Sequence, residues 1–274
     1  MLPLVILTVL TILIIGLVVG QPYWRQWQRR RVLAKPFPEA WRKILKQRMP
    51  YFRALPADLQ LQLKKHIQVF IAEKVFIGCD GLQVSDEMRV TIAAQACLLL
   101  LNRPNHYYPE LKSILIYPAA FIVESAQTDA AGLVCEERRV LSGESWGQGK
   151  VILSWQDTLA GAADPHDGHN VVIHEFAHQL DQEQGPTQGA PVLSRSSDYQ
   201  QWSAVMQQAF NELQVKVAQG LPVLLDPYGA TNPAEFFAVL TEIFFERPAE
   251  LSTQHPDLYQ LLSRFYRLNP LSWH

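Results

Sequence analysis

"NVVIHEFAHQL", residues 170–180, decides how the rest of the chain is read. Val171, Val172, Ile173, Phe176, Ala177 and Leu180 give it the apolar spacing of a largely enclosed helix. Two histidines and a glutamate interrupt that pattern. Burying polar groups is costly unless something satisfies them, so either the segment is exposed or these residues hold something. His174 and His178 are four positions apart and project from one helix face, one turn from each other. Two imidazoles so placed can bind one tetrahedral Zn²⁺, with Zn–N bonds of about 2.0–2.1 Å. Glu175 then points toward the side where a bound water sits and can take its proton as general base. Coordination brings that water's pKa from about 15.7 down to about 7. A shuffled chain of this composition would contain H-E-x-x-H on the order of one time in a hundred, so the pattern is informative by itself.

A peptidase zinc needs a third protein ligand and an open fourth position. The metzincin pattern would place Gly at 181 and His at 184; Asp181 and Gln184 stand there instead. The better source is "LLDPYGATNPAEFFAVLTEIFFE", residues 224–246. Asn232 can cap a helix, Pro233 suits its first position, and Glu235 falls at the third, just before a buried-looking run. Glu235 is therefore a candidate ligand, its alternative being a simple capping-box glutamate. Glu242, two turns further on, is the rival ligand, or it accepts a histidine N–H. Tyr228 can donate a hydrogen bond to a tetrahedral oxyanion, or it is an ordinary amphipathic tyrosine. His166 and His169 read as loop residues beside the cleft. Asp181 either orients His178 or finishes the helix, and Asp226 is a minor alternative ligand.

Outward from this motif, the chain has 274 residues, a net charge of -2 and 48% hydrophobic residues, enough for one sizeable domain. The near-neutral balance gives no bias toward nucleic acid. Cys79, Cys97 and Cys135 are odd in number and widely spaced, which suits reduced thiols rather than a disulfide framework. Leu2 to Gly20 contains no charged residue. As a helix of about 28 Å it approaches the roughly 30 Å hydrocarbon core of a bilayer. Tyr23, Trp24 and Trp27 follow as an aromatic belt, then Arg25, Arg29, Arg30, Arg31 and Lys35. By the positive-inside rule this predicts a single-pass protein of the bacterial inner membrane, with its N-terminus outside and its catalytic domain in the cytoplasm. The expected division is an anchor over 1–21, a basic juxtamembrane stalk over 22–35 and a catalytic domain over 36–274.

Helical patterns are expected over Pro56 to about Ile77, over Asp86–Leu101 with Ser85 as N-cap, and at roughly His169–Gln182, Asp198–Gly220, Pro233–Glu246 and Pro256–Arg267. "SILIYP" (113–118), "AFIVE" (120–124) and "KVILSW" (150–155) read as strands, and "GESWGQG" (143–149) as a flexible turn. "KVILSW" is either an edge strand that pairs with an extended peptide or an interior strand. Helices, then strands, then helices predict an α+β fold, with helices around a small mixed sheet.

"HEFAHQLD", "YGATNPAEFFAVLTEIFFE" and the closing "HPDLYQLLSRFYRLNP" together resemble the Mlc titration factor A family of zinc-dependent peptidases. The likeness covers about Pro36 to Pro270, and the family is of the gluzincin type, similar to the catalytic domain of anthrax lethal factor. It implies a zincin-like domain holding one Zn²⁺ on His174, His178 and Glu235, with Glu175 as base and Tyr228 as transition-state donor. It further implies aminopeptidase-like action on short peptides and, as a partner, a transcriptional regulator of the Mlc type. The competing expectation is a membrane-tethered binding protein that sequesters such a regulator and uses zinc only structurally. A structural site would need four protein ligands and no general base.

Overall fold

The computed structural model describes residues 2–103, 107–128, 134–141, 143–146, 149–184, 188–193 and 195–273. Helices α1 (Leu2–Leu33), α2 (Glu39–Arg48), α3 (Tyr51–Ala54) and α4 (Ala57–Glu73) lead into strand β1 (Val75–Gly78) and helix α5 (Asp86–Leu98). Strands β2 (Ser113–Tyr117), β3 (Phe121–Thr128), β4 (Val134–Leu141), β5 (Gly143–Trp146) and β6 (Lys150–Ser154) follow. Then come α6 (Trp155–Ala163), α7 (Val171–Asp181), α8 (Asp198–Ala218), α9 (Pro233–Glu246), α10 (Pro248–Gln254) and α11 (Pro256–Tyr266). The fold is α+β and mostly helical, as the alternation of patterns predicts.

Its sheet has the order β1-β2-β6-β5. β1, β2 and β6 run parallel, and β5 returns antiparallel to β6, with Gly143 opposite Leu153 and Trp146 opposite Lys150. β3 and β4 form a separate antiparallel ribbon. β2 and β6 turn Ile114, Ile116, Val151 and Leu153 into the core, where all four are fully buried. α7 packs against β5 and β6 on one side and α9 on the other. Its Phe176 is fully buried, with its ring centroid 5.6 Å from Phe70 and 4.8 Å from Tyr108. Burying such an aromatic side chain is worth several kcal/mol and fixes the rotation of the helix, which leaves the histidine face turned toward α9.

Several expectations need correction. Among the described residues no helix is long and apolar enough to cross a membrane, which overturns the single-pass inner-membrane placement with a cytoplasmic catalytic domain. α1 does not end with the apolar run but continues through the arginines to Leu33. One of those arginines is engaged in the fold: Arg29 forms hydrogen bonds of 2.5 and 3.0 Å to Glu73 of α4, and its guanidinium lies 4.5 Å from the Tyr107 ring centroid. The helix expected to reach Ile77 stops at Glu73, because "VFIG" pairs in register with β2 as strand β1. "GESW" is strand β5 rather than a turn, and Gly147 and Gln148 lie outside the described residues. β5 is the edge beside β6, so "KVILSW" is interior. Ser85 does cap α5, its Oγ accepting from the Met88 N–H at 3.3 Å. Cys79 and Cys97 are free thiols; the side chain of Cys135 lies outside what the structure describes.

Candidate metal centre

Asn170 starts α7: its Oδ1 accepts from the Ile173 N–H at 3.0 Å, satisfying one of the helix's orphan donors. Asn232 does the same for α9, with Oδ1 accepting from Ala234 N at 2.9 Å and Glu235 N at 3.0 Å. Pro233, at the first position, is preset for the helix. These two caps fix where His174 and Glu235 stand along their helices.

The helices face each other so that one carboxylate oxygen meets both imidazoles. Glu235 Oε2 lies 3.0 Å from His174 Nε2 and 3.3 Å from His178 Nε2. A tetrahedral ion with bonds of about 2.0–2.1 Å has its ligand atoms about 3.3 Å apart, so this spacing fits a shared zinc. The three residues are the group among the described residues whose donor atoms gather within 4.8 Å of one another. They are two neutral-capable nitrogens and one carboxylate oxygen, the donor set of a catalytic rather than a structural zinc.

Glu242 is placed differently. Its Oε1 is 2.6 Å from His174 Nδ1, the ring nitrogen facing away from Glu235, and its Oε2 accepts the Asn170 N–H at 2.6 Å. It thus binds the back of the imidazole and the start of the helix at once. Beyond it, Glu246 accepts from Asn170 Nδ2 at 2.9 Å and from Gly168 N at 3.1 Å. Burial pushes the Glu246 carboxyl up to about 9 against those two donors. Burial alone would lower the His174 imidazole, but Glu235 and Glu242 on its two sides outweigh it and raise its pKa well above the ordinary value. For Glu235, burial acts upward, and His174 and His178 hold the carboxyl well below the usual range nonetheless.

Glu175 is buried, 5% exposed, and faces Gly143 at the start of β5. A Cβ at Gly143 would lie 2.7 Å from Glu175 Oε1 and 2.6 Å from Val171 Cγ2, so only glycine leaves that carboxylate its place. Tyr228 is half exposed on the short turn Pro227–Ala230, its ring centroid 6.1 Å from that of His174. Asp226 organises that turn by accepting the Tyr228 N–H at 2.7 Å and stands outside the three-residue cluster. Asp181 finishes the helix: it accepts from the backbone of Gln188, Gly189 and Ala190 at 2.7–2.9 Å. His178 Nδ1 is buried with no hydrogen-bond partner among the described residues. His166 lies on the loop, and His169 lines the cleft. The cleft measures about 850 Å³, and Gly143, His174, Glu175, Tyr228 and Glu242 all open onto it.

Gly143, Asn170 and Glu246 are the residues that sequence reasoning missed. Asn170 carried a legible signal as an N-cap before an apolar run. Gly143 did not, because its role depends on β5 folding back against α7.

The chain matches the family described as glucose-regulated metallo-peptidase M90 over residues 24–267. Similar proteins include "Uncharacterized protein slr2042" of Synechocystis sp., 42% identical over 99% of each chain. Mlc titration factor A of Klebsiella pneumoniae subsp. pneumoniae is 34% identical over 82% of this chain and 84% of its own. Mlc titration factor A of Escherichia fergusonii is 32% identical over 90% of this chain and 91% of its own.

Proposed function

The chain belongs to the glucose-regulated metallo-peptidase M90 family, and from that premise we propose that it is a zinc-dependent peptidase whose catalytic unit spans 36–274. The observation that carries this reading is the convergence of His174 Nε2 and His178 Nε2 on Glu235 Oε2, next to Glu175 and an open cleft. His174, His178 and Glu235 would hold one zinc ion. When bound, the ion supplies Lewis acidity to the scissile carbonyl and lowers the pKa of the attacking water toward about 7. Glu175 takes the proton of that water and returns it to the leaving amine. Gly143, having no Cβ, leaves the Glu175 carboxylate its place beside the cleft. Tyr228, on its exposed turn, donates a hydrogen bond to the oxyanion of the tetrahedral intermediate. Glu242 holds His174 by its Nδ1–H, so that Nε2 keeps its lone pair toward the site. The action is aminopeptidase-like, on short peptides, as the family resemblance implies.

The test is peptide hydrolysis and metal content of Glu175→Gln beside the unaltered chain. Loss of a general base typically costs 10²–10⁴-fold in rate while a glutamine of the same shape leaves the ligands alone. Hydrolysis that survives this change with one zinc per chain would refute the assignment. A second role, capture of a transcriptional regulator of the Mlc type, is supported by the names of the relatives at 32–34% identity. Retained capture by a His174→Ala, His178→Ala variant would separate it from catalysis.

A further inference from the structure

We propose that Asn170 is a positioning residue of the metal centre: beyond capping α7, its side-chain amide fixes the peptide N–H that holds Glu242, and through Glu242 it aims His174. The inference rests on the zinc centre proposed above and adds a residue behind it. Its ground is the choice of side chain. A cap needs one acceptor, and serine, threonine or aspartate supplies it about as well as asparagine. Asn170 spends Oδ1 on that task, taking the Ile173 N–H at 3.0 Å. Its amide nitrogen has two hydrogens left to place. One goes to the Gly161 carbonyl of α6 at 3.0 Å, the other to Glu246 Oε1 of α9 at 2.9 Å. An ionised aspartate has no hydrogen to offer there, and a serine or threonine hydroxyl has one, on a shorter arm.

α9 therefore grips residue 170 twice. Glu246 holds the side chain. Glu242, one turn earlier, accepts the Asn170 N–H on Oε2 at 2.6 Å while its Oε1 lies 2.6 Å from His174 Nδ1. As a cap, Asn170 is extended, so its N–H stands outside the ladder of α7 and takes its direction from what the side chain is tied to. The surroundings leave little slack. A Cβ on Gly161 would lie 3.0 Å from Asn170 Cα and 3.1 Å from its Cγ, so α6 is pressed against the cap. On the far side Gly168, at φ +84, donates its N–H to Glu246 Oε2 at 3.1 Å. Asn170, Glu242 and Glu246 are each at most 6% exposed. Away from water, a network whose members are all matched is rigid, and a missing donor is costly. Without the two amide hydrogens the peptide N–H of residue 170 can turn, the Glu242 carboxylate follows it, and His174 loses its fixed direction.

The experiment compares Asn170→Ser with Asn170→Ala in the full chain, reading zinc affinity by competition with a chromophoric chelator and the thermal midpoint without metal. Serine keeps the cap and lacks both amide donors; alanine lacks all three groups. The midpoint of Asn170→Ala should fall about 2–4 °C below that of Asn170→Ser, the worth of a cap. Zinc affinity should drop on the order of tenfold in both, the lower end of the usual loss for groups behind a ligand. In a Glu242→Gln background, Asn170→Ser should add less than about twofold, because both changes act on one path to His174. Unaltered affinity in Asn170→Ser reduces the residue to a cap and overturns the proposal. Full additivity with Glu242→Gln also overturns it. A chain that shows these ratios but cuts no peptide refutes the peptidase reading and leaves this inference standing, and peptide cleavage without the ratios does the reverse. A chain that takes up no zinc overturns both.

Discussion

Glu242→Gln tests how the centre is held. The native carboxylate accepts two donors at once, His174 Nδ1–H at 2.6 Å and the Asn170 N–H at 2.6 Å. Glutamine keeps the shape but offers one acceptor and one NH₂, so one of the two donors must face another donor. If His174 loses its partner, its ring turns or changes tautomer and Nε2 no longer presents a lone pair to the ion. Loss of such an orienting partner typically weakens metal affinity about 10–100-fold, which corresponds to about 1.4–2.7 kcal/mol. Competition with a chromophoric zinc chelator reads this directly. Glu235→Ala, which removes a proposed ligand outright, should lose more. A change under about threefold in Glu242→Gln, or a greater loss in Glu242→Ala than in Glu235→Ala, would refute the division of roles between the two glutamates.

Gly143→Ala should cut the rate of peptide hydrolysis on the order of 10²-fold, the usual effect of a misplaced catalytic group, because its Cβ would lie 2.7 Å from Glu175 Oε1. Its thermal midpoint should stay within a few degrees, and unchanged turnover would remove Gly143 from the account. Glu246 has a folded-state pKa of about 9, above its unfolded value of about 4.5, so the folded state keeps the proton longer. Stability should therefore decline as pH rises from about 5 to 9, by up to about 1.4 kcal/mol per unit, and Glu246→Gln should flatten that slope in urea titrations. His66 behaves oppositely: burial beside Tyr107 holds it down to about 4, so the unfolded chain takes a proton first as pH falls. Acidification from about 6.5 to 4 should cost stability, and a His66→Gln variant that shows the same acid limb would contradict this assignment.

The helix faces that build the site were readable because their spacing is local. Val172, Phe176 and Leu180 mark the buried side of α7, and the imidazoles at 174 and 178 follow from one turn of helix. Asn232-Pro233 announced the start of α9 and with it the place of Glu235. The choice between Glu235 and Glu242 was not readable, since both lie on one face of α9 and only the packing angle against α7 decides which ring nitrogen each one meets. β1 was hidden by the apolar pattern of α4 running into "VFIG", which pairs only when β2 arrives 38 residues later. β5 was hidden by its glycine and serine, read as turn chemistry although the segment pairs with β6. The apolar run at the N-terminus suggested an anchor because hydropathy was weighed without the tertiary contacts of Arg29, which shares its helix.

The most direct measurement is the metal content of the purified, folded chain together with that of His174→Ala. The account predicts one zinc per unaltered chain, removable by a chelator, and none retained by the variant. A folded, peptide-cleaving chain without metal, or zinc kept in full after His174 is removed, would contradict it.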